Sequence, residues 1–426
     1  MSTAAVLDPF DQDTRPRLLP GGTPDSRSWA DHVDRYGPLP SLGEGRALLA
    51  AVEQSGLTGR GGAAFPTAAK LRSLASRRSP LVVANGVEGE PASAKDQALM
   101  THNPHLVIDG VLAASAAVGA DEATIAVSRQ ARSSYAGLEG ALAERRPEIE
   151  LHLAAVPARF VAGEESALVH WLNGGEVKPT FTPPRPFERG VRGRPTLVQN
   201  VETLANIGLI LRYGPDWFRR AGTAAEPGTV LFTIDGAVRR PGVVEAELGT
   251  PLRELIHRCG GLDGPPRALL VGGYFGSWIP ALGNLDLPLT EAALRPLGAA
   301  LGARTIGVLP EGACGVTETA RIARYLAGES AGQCGPCLFG LDAIADALET
   351  IAAGGGAARG ALARLRRLPA QIAGRGACGY PDGVLGLVQS AVRVFADEIE
   401  EHLAGRCSAP LADPLFPTRH TSRDWR

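Results

Sequence analysis

Short apolar strands alternate with helix-like segments in the first half of the chain, and this alternation constrains the fold more than any other feature. Strand-like runs occupy residues 81–84 and 123–127, and an apolar helical pattern covers 106–118 between them. Alternation of this kind is typical of α/β architecture. It predicts an α/β domain over 46–225, preceded by an irregular arm over 1–45 that is rich in Pro, Gly, Asp and Arg.

The pattern changes after residue 225. Two strands, a short helix and a further strand predict a small β-grasp-like domain over 226–310, with these elements at 230–236, 242–246, 252–258 and 268–273. Beyond it, apolar residues recur at helical spacing and predict a helical bundle over 311–405, with helices at 317–327, 338–353, 357–367 and 384–403. Residues 406–426 follow as a C-terminal tail.

Composition excludes several classes of protein. A chain of 426 residues is long enough for about two to four domains with buried cores. The net charge of −2 gives no electrostatic case for nucleic acid as a partner. The chain has no apolar run long enough to span a bilayer and no basic start followed by an apolar stretch, so we expect neither membrane insertion nor secretion. Six cysteines are too few for a disulfide scaffold, which favours a cytoplasmic protein with reduced thiols.

A glycine-rich segment covers residues 59–67 and precedes a predicted helix. Successive glycines before a helix N-terminus let backbone N–H groups approach an anion, and Arg60 could add a charge. A glycine-rich turn without a ligand is the alternative. The dinucleotide fingerprint is not met because a helix, not a strand, precedes the loop, and no Gly-Lys-Ser/Thr follows as in a P-loop. A flavin phosphate is therefore a better candidate than ATP.

Two acidic clusters follow predicted strands or turns. Residues 85–91, which include Asn85 and Glu90, come directly after the strand at 81–84. Open α/β sheets bind ligands at the C-terminal ends of their strands. Glu164 and Glu165 lie in a turn before a predicted helix, where the alternative role is to stabilise the helix dipole.

Three cysteines have the spacing of iron–sulfur ligands. Cys334 and Cys337 form a Cys-x-x-Cys pair, and Cys378 follows later in the bundle. A cubane cluster takes four thiolates, but the position one step before the pair is Ala331. Three outcomes stay open: a three-iron cluster, a four-iron cluster with a non-cysteine ligand or an open position on one iron, or cysteines buried without a cluster.

The other cysteines have less defined roles. A zinc site at the Cys-x-x-Cys pair is less favoured, because no histidine lies within ligand spacing. Cys314 stays open as a substitute cluster ligand. Cys259 and Cys407 are interpreted as structural or incidental.

Five motifs occur together in one order, at 59–67, 85–91, 163–165, 195–206 and 329–337. Together they resemble those of the NADH-binding flavoprotein of respiratory complex I, a family that has relatives in NAD-dependent hydrogenases and formate dehydrogenases. The resemblance covers about residues 46–404, and the chain is similar to a divergent member.

The resemblance implies an FMN-binding α/β domain, then an SLBB-like β-grasp domain, then a helical bundle holding an iron–sulfur cluster. It implies an FMN site lined by Gly59, Arg60, Gly61, Gly62, Lys70, Asn85, Gly163, Glu164, Glu165, Asn200 and Thr203. It further implies a nucleotide side formed by Phe65, Glu90 and Glu165, and cluster ligands Cys334, Cys337 and Cys378. No catalytic side chain is implied beyond the flavin. The implied activity is hydride transfer from NADH to FMN, then single-electron transfer through the cluster to a partner protein.

The chain departs from the family at several positions. Val87 replaces an aspartate, Gln199 an asparagine and Phe160 a tyrosine, while Ser73 and Arg185 stand where aromatic residues are expected. Two aromatic groups that would stack on adenine are thus absent, so we expect NADH to bind about 10- to 100-fold more weakly, unless the Arg185 guanidinium stacks on the adenine instead. The alternative function is a non-catalytic or ferredoxin-linked subunit that keeps the fold but not NADH oxidation. Either protein would be cytoplasmic, free or at the periphery of a membrane complex.

Overall fold

The computed structural model describes residues 5–6, 17–19, 27–42, 45–407, 409, 414–418 and 424–426. Its first elements, in chain order, are strand β1 (Ala5–Val6) and helices α1 (Trp29–Tyr36), α2 (Gly45–Ser55) and α3 (Thr67–Ala75). No helix in these ranges has both the length and the apolarity needed to cross a bilayer.

The first domain is built on a parallel sheet with strands β2 (Leu81–Gly86), β3 (Glu122–Ser128), β4 (Glu150–Val156) and β5 (Thr196–Asn200). These strands lie in the order β4-β3-β2-β5. The associated helices are α4 (Lys95–His102), α5 (Pro104–Val118), α6 (Arg132–Ala143), α7 (Glu165–Leu172), α8 (Val201–Tyr213) and α9 (Pro215–Arg219). Because β2 and β5 are parallel neighbours, Asn85 and Asn200 are register partners where both strands end.

Close packing of α5 against α8 supports this sheet. Both helices are almost wholly buried, as expected for elements that cover a parallel sheet. A side chain at Gly110 of α5 would place its Cβ 2.0 Å from the Leu204 carbonyl oxygen of α8. Glycine at position 110 is therefore required for the two helices to approach this closely.

The second domain contains β6 (Thr229–Gly236), β7 (Gly242–Glu247), α10 (Leu252–Arg258), β8 (Pro266–Val271), β9 (Ser277–Pro280), α11 (Glu291–Leu294) and β10 (Thr305–Pro310). Within the described residues its strands and β1 form one sheet in the order β1-β7-β6-β10-β8-β9. The predicted hairpin is present as the antiparallel pair β6 and β7, while β10 returns parallel to β6.

The third domain is helical, with α12 (Gly315–Glu329), α13 (Leu341–Ala353), α14 (Ala358–Leu365), α15 (Pro369–Ile372), α16 (Tyr380–Val394) and α17 (Ala396–Leu403). A π-helical turn, Pro336–Gly340, precedes α13. The single helix predicted over 384–403 is divided at Phe395, so that prediction is wrong. The Phe395 ring is buried 5.1 Å from the Trp278 ring, and a side chain on Gly315 would overlap it. This anchoring interrupts the helix.

The N-terminal arm is not irregular throughout, because residues 29–36 form α1. The Ser28 hydroxyl accepts a hydrogen bond from Asp31 N at 3.2 Å and caps the helix. The buried His32 ring lies 2.7 Å from the Asp109 carboxylate of α5, and this contact attaches α1 to the first domain. Residues 1–4, 7–16, 20–26 and 43–44 of the predicted arm lie outside the described residues, as do 408, 410–413 and 419–423 of the predicted tail.

Candidate functional site

A cavity of about 570 Å³ lies at the C-terminal ends of β2 and β5. Its size is in the range of small-molecule sites in proteins. The structure brings eight of the predicted site residues to its wall: Gly61, Gly62, Asn85, Glu90, Gly163, Glu164, Asn200 and Cys378. The wall also contains Gly272 and Gly302 of the second domain and Tyr380 of the third, so all three domains contribute to the cavity.

Glycines keep part of this wall free of side chains. A Cβ on Gly61 would lie 3.1 Å from the Asn200 Cβ, and one on Gly163 would lie 2.7 Å from the Val87 carbonyl oxygen. Gly62 has φ +115°, which disfavours any residue with a side chain. Gly59 lies behind the wall, where its N–H donates to the Phe65 carbonyl at 2.8 Å and closes the loop. Backbone groups of Gly61 and Gly62 are thus accessible to a ligand.

The sequence predicted that the Arg60 side chain would line the site, but in the structure it does not reach the cavity. It is fully buried and donates to the Pro227 carbonyl at 3.0 Å. Its backbone N–H donates to the Thr203 hydroxyl at 2.8 Å, which also places Thr203 behind the cavity wall. A second buried guanidinium, on Arg304, donates to the backbone of the same loop.

Arg304 is a site residue that the sequence did not indicate. From the second domain it donates to the Arg60 carbonyl at 2.5 Å and to the Gly59 carbonyl at 3.2 Å. In a trans peptide the N–H points opposite to the C=O, so holding the Arg60 carbonyl turns the Gly61 N–H away from Arg304. Burial lowers the pKa of both arginines, and the two cations place positive charge beneath the glycine loop.

Three polar side chains on the wall also stabilise the surrounding backbone. Asn85 donates to the Gly163 carbonyl at 2.8 Å, and Asn200 donates to Asp96 at 2.7 Å while its oxygen caps α8. The Glu164 carboxylate accepts from Ala167 N at 2.9 Å and caps α7. Glu164 therefore caps α7, as the alternative role required, and also lies in the cavity wall.

A buried charge cluster, of which Glu88, Lys95 and Asp96 lie in the cavity wall, was not predicted from the sequence. Lys95 donates to Asp96 at 2.6 Å and to Glu202 at 2.9 Å. Although burial opposes its charge, these carboxylates raise the pKa of Lys95. Burial, together with the negative charge of Asp96, raises the pKa of Glu88 to about 7. The available signal was a lysine at the start of a helix directly after the acidic segment 85–91.

Glu90 connects the first two domains. Its carboxylate accepts a hydrogen bond from Tyr274 N at 2.9 Å. Burial raises its pKa to about 8, so the group is largely neutral at pH 7.

Two residues of the implied nucleotide side, Phe65 and Glu165, and Lys70 of the implied FMN site are not in the cavity wall. Lys70 and Glu165 form a partly exposed ion pair at 3.1 Å, and the Phe65 ring is 56% exposed.

The three predicted cluster cysteines are close to one another. The Cys337 thiol is close enough to Cys334 and Cys378 to interact electrostatically with both. Cys378 lies in the cavity wall. The backbone N–H of Gly332 donates to the Cys337 sulfur, and that of Tyr380 to the Cys378 sulfur. Such N–H···S bonds are among the features that tune iron–sulfur sites. Burial raises the pKa of Cys337 to about 12, which disfavours the thiolate unless a metal ion compensates its charge.

Cys314 does not join this set. Its sulfur lies 3.2 Å from the buried His402 ring, and both groups lie within 4.8 Å of the Cys407 sulfur. The prediction that Cys314 could substitute for the absent fourth ligand is therefore not supported by the geometry.

Comparisons with known families follow the order of the three domains. The Nuo51 FMN-binding domain matches residues 52–209, the SLBB domain matches 231–273, and the NADH-ubiquinone oxidoreductase-F iron-sulfur binding region matches 317–402. This order confirms the predicted fold class.

Individual relatives match nearly the whole chain. The NADH-quinone oxidoreductase F-subunit of Mycobacterium tuberculosis (strain H37Rv) is 33% identical over 414 residues, covering 89% of this chain and 92% of the relative. The F-subunit of Streptomyces coelicolor is 34% identical over 394 residues, covering 88% and 86%. The crystal structure of an NAD+-reducing [NiFe]-hydrogenase in the H2-reduced state matches with a TM-score of 0.82 and 30% identity, covering 98% of this chain and 70% of that one. The chain belongs to the family of the NADH-quinone oxidoreductase F-subunit, an oxidoreductase family of the NADH dehydrogenase type.

Proposed function

We propose that the chain is an FMN- and iron–sulfur-dependent electron-transfer subunit that takes electrons from NADH and passes them to a partner subunit. One observation carries the proposal: Gly61 and Gly62 share a cavity wall with Cys378. A flavin in this cavity would lie beside the cluster cysteines. Bound FMN supplies the chemistry that accepts a hydride and releases electrons singly.

The site residues have distinct roles in this proposal. The backbone of Gly61 and Gly62 holds the phosphate, and Asn85, Gly163, Glu164 and Asn200 surround the rest of the flavin. Gly59, Arg60, Thr203 and Arg304 hold the loop from behind. The nucleotide side is formed by Phe65, Glu90 and Glu165, and Lys70, which pairs with Glu165, belongs to the flavin side. Cys334, Cys337 and Cys378 supply three thiolates to an iron–sulfur cluster, which is either a three-iron cluster or a four-iron cluster with one iron that has no thiolate from this chain.

The test is a visible spectrum with flavin and iron analysis of protein prepared without oxygen. We expect a yellow-brown protein that carries FMN and is bleached by NADH. A colourless protein that FMN cannot reconstitute would contradict the assignment. Bleaching by a reduced ferredoxin but not by NADH would favour the ferredoxin-linked alternative, which the substitutions at Ser73, Val87 and Arg185 motivate.

The pH dependence of NADH binding tests the place of Glu90. Its carboxyl is neutral below about pH 8 and anionic above it. An anionic carboxylate repels a negatively charged dinucleotide, so we expect the Kd for NADH to rise between pH 7 and 9 in the wild type. Glu90→Gln keeps an acceptor for Tyr274 N and removes the charge, so its Kd should stay constant over that range. Fluorescence titration measures both, and an equal rise in the variant would contradict the role.

Thermal unfolding provides an independent measurement on the same variant. The pKa of Glu90 is raised from 4.5 to about 8 in the folded protein, so the folded state binds the proton more tightly. This group therefore favours folding below pH 4.5, and its contribution is lost as pH rises to about 8. Glu90→Gln should reduce the fall of the unfolding midpoint between pH 5 and 8.

A basic groove beside the cluster suggests the chemistry of the partner. Its volume is about 620 Å³, and Gly335 and Pro336, which separate two cluster cysteines, lie in its wall. Arg364, Arg367 and Arg375 line it, with no carboxylate among its described lining residues. We propose that the partner exchanging electrons here presents an acidic surface.

Charge reversal in the groove tests this surface. The double variant Arg364→Glu with Arg367→Glu should slow electron exchange with an acidic ferredoxin about tenfold or more at low ionic strength, and less at high salt. Stopped-flow absorbance measures the rate. Arg78→Glu, an exposed site in the first domain, is the control. Equal rates in the double variant and the wild type would exclude the groove.

A further inference from the structure

Two cysteines and a histidine converge at the edge of the helical domain, away from the iron–sulfur motif. Cys314 precedes α12, His402 lies in the last turn of α17, and Cys407 follows α17. One ligand atom from each residue lies within 4.8 Å of the others. Cys314 and His402 are buried, and Cys407 is exposed. The three residues are separated by up to 93 positions, so the fold and not local sequence brings them together.

The spacing of these atoms fits a tetrahedral metal ion. Zinc binds thiolate sulfur at about 2.3 Å and imidazole nitrogen at about 2.0–2.1 Å, which places neighbouring ligand atoms about 3.5–3.8 Å apart. The Cys314 sulfur and the His402 Nε2 are 3.2 Å apart, and the third sulfur lies within 4.8 Å. Small side-chain movements would bring all three atoms to bonding distance.

The surroundings favour a metal over the other roles of such a cluster. A disulfide between Cys314 and Cys407 would leave the His402 ring without a function in the cluster. The Thr317 hydroxyl and N–H both donate to the Cys314 sulfur, at 3.3 and 3.4 Å. Such donors orient and stabilise a metal-bound thiolate.

We propose that Cys314, His402 and Cys407 bind one Zn²⁺ ion, with the fourth coordination position toward solvent at Cys407. Two thiolates and an imidazole are typical zinc ligands, and no redox chemistry is required of the ion.

The zinc site would fix the start of the C-terminal tail. Beyond Cys407, Phe416 is buried in the helical domain and its N–H donates to Glu318 at 2.9 Å. Further on, the Trp425 carbonyl accepts from Val177 N at 2.8 Å, and its ring lies 4.0 Å from the Arg159 guanidinium. The described parts of the tail thus contact both the helical domain and the first domain, and a metal at Cys407 would fix the point where the chain leaves α17.

Metal analysis of the untagged full chain tests the proposal. After expression with added zinc and desalting, we expect about one zinc per chain, with sulfur and nitrogen neighbours at the zinc X-ray absorption edge. Cys407→Ser should lower the zinc content at least about tenfold, because two protein ligands rarely retain the ion. Cys407 is exposed, so this variant is expected to fold, and circular dichroism verifies that it does.

Cys334→Ser is the matched control, since it should lower the iron content and leave the zinc unchanged. Loss of zinc in Cys407→Ser together with retention in Cys334→Ser supports the site. Wild-type protein without zinc, equal zinc in wild type and Cys407→Ser, loss of iron instead of zinc, or a Cys314–Cys407 disulfide in peptide mass spectra would each overturn it.

Discussion

Replacing Gly61 with valine is expected to leave the protein folded and to weaken FMN binding by about 100-fold or more. The Gly61 backbone lies in the cavity wall, and even a Cβ there would lie 3.1 Å from the Asn200 Cβ. The branched side chain would enter the space that the proposal gives to the flavin phosphate. Flavin fluorescence titration of the apoprotein gives the affinity, and circular dichroism verifies folding.

Gly140→Val provides the control for this substitution. Gly140 lies in α6, and an added Cβ would have no atom within 4 Å. The control should bind FMN like the wild type. Wild-type affinity in Gly61→Val would show that the phosphate is held elsewhere.

Ala331→Cys is expected to change the type of cluster. Position 331 precedes Gly332, whose N–H donates to the Cys337 sulfur, so a thiol introduced there lies next to a residue that contacts a cluster ligand. A fourth thiolate would complete the set that a cubane cluster takes. We expect iron content to rise toward four per chain and the cluster to survive brief exposure to air.

Electron paramagnetic resonance distinguishes the two proteins. An oxidised three-iron cluster is paramagnetic, whereas an oxidised four-iron cluster of the ferredoxin type is silent and becomes paramagnetic on reduction. We expect air-exposed wild-type protein to be paramagnetic when oxidised. We expect Ala331→Cys to be silent when oxidised and to become paramagnetic on reduction. Ser330→Cys, one residue earlier, is the positional control. Identical spectra and iron contents in all three proteins would contradict the assignment of the missing ligand to position 331.

Local patterns carried most of the fold. The spacing of apolar residues along the chain predicted the β6–β7 hairpin, the buried strand β2 and the helical third domain. This spacing is a local property of the sequence and needs no knowledge of distant contacts. The break at Phe395 was not predictable, because it depends on the distant Trp278 and Gly315. Helix α1 was missed for the same reason, since the contact of His32 with Asp109 attaches it.

The site was predictable where ordered motifs stood together and not where single side chains had to be oriented. Gly61, Asn85 and Asn200 meet at one cavity, as sequence motifs at strand ends indicated. The Arg60 side chain, by contrast, is buried and donates a hydrogen bond to the Pro227 carbonyl, which lies 167 positions away in sequence. Cys407 looked incidental because its neighbours Cys314 and His402 are not part of any local motif.

The contact of Arg304 with the glycine loop has a consequence for how such proteins can be recombined. Arg304 belongs to the second domain, whereas the loop that it contacts lies about 240 positions earlier in the chain. Exchange of the first 225 residues between relatives would therefore combine the glycine loop of one protein with the residue at position 304 of another. Chimaeras that join at the domain border should lose flavin unless the parent that supplies the second domain has an arginine at the position of Arg304.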